Sequence, residues 1–128
     1  MPNHQTAILT SVARLRKLAM RFYDDSAVFD EPGRSGNPRK RARQWSKILN
    51  VAAERLLNRE ADASLVERSA ARLEKLAGFF TEGEAFFKFT GRSGKPEKLN
   101  KQWATILLVA ARRLRGSNAS HASDEATV

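Results

Sequence analysis

Cysteine is absent from this chain, and its two histidines, His4 and His121, stand near the ends. The first absence excludes disulfides, a thiol nucleophile and any cysteine-based zinc site. The second leaves the body of the chain without the side chain that most often moves protons near neutral pH. Four prolines and seven glycines make chain breaks few, so their positions are informative. No apolar run approaches the roughly 18 residues that a membrane span needs. Acid is the scarce charge: 14 Asp and Glu stand against 23 Lys and Arg, a net charge of +9. These absences count against an enzyme, a cofactor protein or a membrane protein. No metal is expected; the redox compartment stays open on cysteine alone, and the expected setting is intracellular and cytoplasmic.

What is present is a duplication. Between Ser11 and Leu56, 25 of 46 residues are identical to the residue 58 positions later. Ala13-Arg14-Leu15 returns as Ala71-Arg72-Leu73, and Gly33-Arg34-Ser35-Gly36 as Gly91-Arg92-Ser93-Gly94. Gln44-Trp45 returns as Gln102-Trp103. A period of this size marks one supersecondary unit used twice. Each half is too short for a comfortable core, so the halves should share one. The basic excess is carried by both, +5 over 6–63 and +6 over 64–121.

Ile8, Val12, Leu15, Ala19 and Phe22 recur at steps of four and three, one stripe of a helix from about Thr6 to Asp25. Val66, Ala70, Leu73, Ala77 and Phe80 repeat it from about Ser64 to Glu82. A turn-rich stretch follows from Ser26 to Asn37. Pro38 and Pro96 then suit the first turn of a second helix, where a missing N–H costs nothing. That helix buries Trp45, Ile48, Leu49, Ala52 and Leu56 and ends near Asn58. Its copy buries Trp103, Ile106, Leu107, Ala110 and Leu114, with Gly116 as a stop. The expected fold is all-α: a four-helix up-down-up-down bundle of two tandem αα-hairpins, 6–59 and 64–116, in one domain covering 6–116. The polar tail 117–128 is expected to be disordered.

The Gly-Arg-Ser-Gly-x-Pro turn is the first candidate site. Its glycines let backbone N–H groups approach a ligand, and it opens into a helix N-terminus, which favours an anion. Arg34 and Arg92 add a planar fork for phosphate oxygens, and Ser35 and Ser93 a hydroxyl. Lys95 follows the second turn directly. A nucleotide-binding P-loop is excluded by spacing, since two residues rather than four separate the first glycine from Gly94-Lys95, and Pro96 follows. The second candidate is the outer side of the second helix, where Lys40, Arg43 and Lys47 align, with Lys98 and Lys101 as copies. Arg39 and Arg41 thicken the first copy. Cations at a helix N-terminus oppose its dipole, which suggests that they serve a ligand.

Trp45 and Trp103 belong to the core. Phe29, Phe86, Phe87 and Phe89, beside the turns, either plug the bundle end or stack on unpaired bases. Arg55 and Arg113 complement the dipole of a last helical turn. Asp24, Asp25, Asp30 and Glu31 form an acidic cluster that the second copy lacks, so it reads as solvated surface. The expected function is non-catalytic binding of nucleic acid, DNA or RNA, through its phosphate backbone. The alternative is an interaction module whose basic end docks an acidic or phosphorylated protein. Homo-oligomerisation would multiply either surface.

Overall fold

The structure, a computed structural model, describes residues 4–31, 33, 36–58, 60–89 and 94–127. These form four helices and two short strands, in the order α1 (His4–Tyr23), β1 (Ala27–Phe29), α2 (Pro38–Leu57), α3 (Ala63–Glu82), β2 (Ala85–Phe87) and α4 (Pro96–Thr127). The chain is mostly helical, and its helices coincide with the four apolar stripes.

Local chemistry fixes the helix ends. The Asn37 side chain caps α2, accepting from the N–H groups of Arg39 at 2.8 Å and Lys40 at 3.4 Å. Pro38 fills the first helical position. Asp62 caps α3 by accepting from the Ser64 N–H at 2.8 Å. Gly83 ends α3 with φ of 79°, a left-handed conformation that glycine adopts without steric cost. Asp25 holds the equivalent place after α1 with φ of 64° and is the one non-glycine residue described with positive φ.

The structure adds a short two-stranded ribbon to the four expected helices. β1 and β2 pair antiparallel, with Ala27 opposite Phe87, Val28 opposite Phe86 and Phe29 opposite Ala85. Each strand buries its outer two residues and half-exposes the middle one, the alternation that a strand imposes. Valine and phenylalanine suit that surface, but three residues are too few for a period of two to stand out in a sequence. The Lys88 N–H to Ser26 and the Asp30 N–H to Glu84 extend the ladder, each at 2.8 Å.

At the end of the chain, α4 passes through Gly116 and continues to Thr127. An interior glycine costs about 1 kcal/mol relative to alanine, which weakens a helix without ending it. The segment beyond holds three alanines and no proline.

One core joins the helices. Phe22 and Phe80, fully buried, meet at its centre with ring centroids 6.1 Å apart. Phe29 stacks on Phe22 at 5.1 Å, and Phe87 stacks on Phe80 at 5.2 Å. Trp45 packs on Phe29, and Trp103 on Phe87. The buried Ser46 hydroxyl donates to the Ala19 carbonyl at 2.8 Å, holding α2 against α1.

The contacts between the two halves are reciprocal. Arg55 of α2 donates to the Leu65 carbonyl at 3.0 Å and the Ser69 hydroxyl at 2.8 Å on α3. Arg113 of α4 donates to the Ala7 carbonyl at 3.0 Å and the Ser11 hydroxyl at 2.7 Å on α1. Each residue of the second set lies 58 positions from its counterpart in the first, with the roles of the halves exchanged. This is the pattern of an isologous interface. Arg55 and Arg113 thus do more than complement a helix dipole: they satisfy serines that the packing of the halves has buried.

Candidate nucleic-acid interface

Arg34, Ser35, Arg92 and Ser93, the centre of the first candidate site, lie outside the described residues. Their flanks are described. The antiparallel ribbon brings together the segments that lead into the two turns. It also makes the chain leave at opposite ends, after Phe29 beside Ala85 and after Phe87 beside Ala27.

Two of the flanking arginines are committed to the fold. Arg41 is turned inward, its side chain 12% exposed, and forms an ion pair with Glu84 at 3.1 Å. It also donates to the Glu31 carbonyl at 3.0 Å, and its guanidinium lies 4.3 Å from the Phe29 ring centroid and 4.8 Å from that of Phe79. Gly33 makes room for it. A Cβ at Gly33 would meet the Arg41 Cδ and Nε at 3.0 Å, and the φ of 64° would strain any other residue. The first glycine of the turn therefore has a structural reason. Arg41 is thus half-buried against the edge of the core, which its basic sequence neighbours conceal. Arg39 is exposed but paired with Asp25 at 3.0 Å.

The α2 N-terminus is also less open to an anion than the sequence suggests, because Asn37 accepts from two of its N–H groups. Lys95 takes that place before α4, and an ammonium has no acceptor to offer as a cap.

The remaining predicted cations lie outward. Lys40, Arg43 and Lys47 are exposed along α2, and Lys95, Lys98 and Lys101 are exposed on and before α4. The Arg43 guanidinium covers the ring of Tyr23 on α1 at 5.2 Å, so the α2 stripe adjoins α1. Arg14, Arg16 and Lys17 are exposed on that helix. Among the described residues, none of Arg14, Arg16, Lys17, Lys40, Arg43 and Lys47 has a carboxylate within 4.0 Å.

Charge is thereby sorted in a way that totals per repeat conceal. α1 and α2 hold ten basic residues against one acidic, Glu54, whereas α3 and the part of α4 up to Gly116 hold eight against four. Apart from Glu54, the acids of the first half lie outside its helices, as at Asp24, Asp25, Asp30 and Glu31. In the second half they lie on the helices. Arg115 binds Glu67 at 2.7 Å and Glu74 at 2.8 Å, holding both carboxyls below their ordinary range and its own guanidinium more firmly protonated. Lys101 opens on a cleft of about 510 Å³ that Glu82 and Glu97 also line.

Sequence reasoning passed over Arg14, Arg16 and Lys17 because they lie on the first helix, away from the turns. The signal was the complete absence of acid from α1. The acidic cluster is partly neutralised: hydrogen bonds from the Ser26 side chain and from its N–H, the latter at 2.9 Å, hold the Asp24 carboxyl below its ordinary range, and Asp25 pairs with Arg39. Among the described residues no three carboxylates, histidines or cysteines are grouped to hold a metal. Of the predicted aromatic plug, Phe29 and Phe87 are buried, Phe86 is half-buried and Phe89 is exposed with Arg21 over its ring at 5.1 Å. No helix among the described residues is long and apolar enough to cross a membrane. Compared with known proteins, the chain matches no family model, no curated protein and no solved structure at a significant level.

Proposed function

We propose that this protein binds nucleic acid non-catalytically, holding phosphates along the cationic face of its first helical pair. The observation that carries this reading is the set of exposed side chains Arg16, Lys17, Lys40, Arg43 and Lys47, with no carboxylate of the described residues in reach. A domain designed for solubility alone intersperses its charges. A face of one sign raises the local concentration of a polyanion.

In this reading the chain is two αα-hairpin repeats packed up-down-up-down in the cytoplasm. Arg34, Ser35, Arg92 and Ser93, with Lys95, Lys98 and Lys101, extend the phosphate contacts toward the turns. Contacts of this kind position a backbone without reading sequence. The test is a titration of the protein against duplex DNA, single-stranded DNA and RNA at two ionic strengths. Binding that weakens steeply with salt supports the proposal. No binding at the lower ionic strength refutes it.

A further inference from the structure

The two halves differ most tellingly in the groove between their helices. In the second half Arg115 of α4 reaches both Glu67 and Glu74 of α3, so these three residues line one groove and close it with ion pairs. Fifty-eight residues earlier the same positions are Leu57, Leu9 and Arg16. Gly78 and Thr81, on the same stripe of α3, correspond to Met20 and Tyr23. The carboxylates of one groove are thus replaced in the other by apolar groups and a guanidinium.

The replacements leave apolar side chains exposed in the first half. Leu9 is 50% exposed, Met20 59%, Tyr23 58% and Leu57 48%, half of the large apolar residues found exposed among those described. Leu9, Met20 and Tyr23 follow one stripe of α1 for about 21 Å at 1.5 Å per residue. Arg16 lies within the stripe, and Arg43 of α2 covers one face of Tyr23 at 5.2 Å. Clustered exposed apolar side chains mark a binding surface.

Charge selects the occupant. A second copy of this groove would set cation against cation. Duplex DNA would satisfy the cations but leave the apolar stripe wet, because its base faces are already stacked. An unpaired strand offers both complements, base faces for the apolar floor and phosphates for Arg16, Lys17, Arg43 and Lys47. Single-strand binders combine a cationic groove with rings on which bases stack. Resting on the nucleic-acid reading above, we propose that the α1–α2 groove binds single-stranded nucleic acid, with a base stacked on Tyr23.

The test compares a thymidine oligomer of about 16 nucleotides, the upper end of common site sizes, with a duplex of equal length at one salt concentration. Tyr23→Ala should weaken single-strand binding roughly 5- to 150-fold, the range for one lost stack, and leave duplex binding unchanged. Tyr23→Phe should keep the wild-type values, showing that the ring and not the hydroxyl matters. Tyr23 is exposed, and equal thermal midpoints for the three proteins exclude unfolding as the cause. Equal losses on both nucleic acids, or none, overturn the groove assignment while leaving the nucleic-acid reading intact. Wild-type protein that binds neither probe defeats that reading itself. Polyglutamate binding that Tyr23→Ala weakens, with single-strand binding unaffected, assigns the groove to an acidic protein and overturns the proposal.

Discussion

Val28 lies directly opposite Phe86 in the ribbon, and Phe86 stands 58 positions after Val28, the offset of the sequence duplication. A residue that faces its own counterpart lies on the line relating the two halves. Phe22 and Phe80, 6.1 Å apart at the centre of the core, stand in the same relation. Each half supplies what the other lacks, as Arg55 does for Ser69 and Arg113 for Ser11.

Those arginines should therefore matter to stability. Arg113→Met leaves the buried Ser11 hydroxyl without its partner and is expected to cost about 1–3 kcal/mol. Arg55→Met should cost a similar amount at Ser69. Arg14→Met, at an exposed position, should change stability by less than about 0.5 kcal/mol. Urea denaturation of the three variants checks this, and equal midpoints would remove the interface role of the two arginines.

Two glycines of α3 and its cap should respond in opposite directions. Gly78 lies in the helix interior, with open space where a Cβ would stand. Gly78→Ala should stabilise by about 0.5–1 kcal/mol. Gly83 has φ of 79°, so Gly83→Ala should destabilise by about 1–2 kcal/mol. Thermal melts of the two variants should move to opposite sides of the wild type.

Much of this architecture was legible from sequence because apolar spacing is a long signal. Ile8 to Phe22 and Trp45 to Leu56 each show several helical turns of one stripe, and the repeat doubles every observation. The ribbon was hidden because three residues cannot show a period. Arg41 looked like part of a basic run, since nothing local says that it folds inward onto Phe29, Phe79 and Glu84. Those partners come from 12 residues before it and about 40 after it. The α1–α2 groove was hidden for a similar reason. Leu9, Arg16 and Leu57 become informative only when Arg115 shows which positions meet across a helix pair.

Acid should weaken the fold, with a defined share coming from Arg115. Glu67 and Glu74 are held below the ordinary carboxylate range by hydrogen bonds from that guanidinium. A carboxyl whose pKa is lower when folded contributes stability above its unfolded pKa, and loses it as pH falls through the folded value. Asp24 and Asp62 act in the same direction through hydrogen bonds from Ser26 and Ser64. The thermal midpoint should therefore drop between about pH 5 and about pH 2. Arg115→Leu, which installs the residue that the first repeat carries as Leu57, should make that drop shallower. A drop as steep as in the wild type would show that the Arg115 network contributes nothing in solution.

The binding face is tested most directly by the slope of log K against log salt for a single-stranded DNA, measured on the wild type and on a Lys40→Ala, Arg43→Ala, Lys47→Ala variant. If each of these residues meets one phosphate, the slope of the variant should be shallower by roughly 2, at about 0.7 per lost contact, with an unchanged thermal midpoint. A variant whose slope equals that of the wild type would contradict the assignment of this face to nucleic acid.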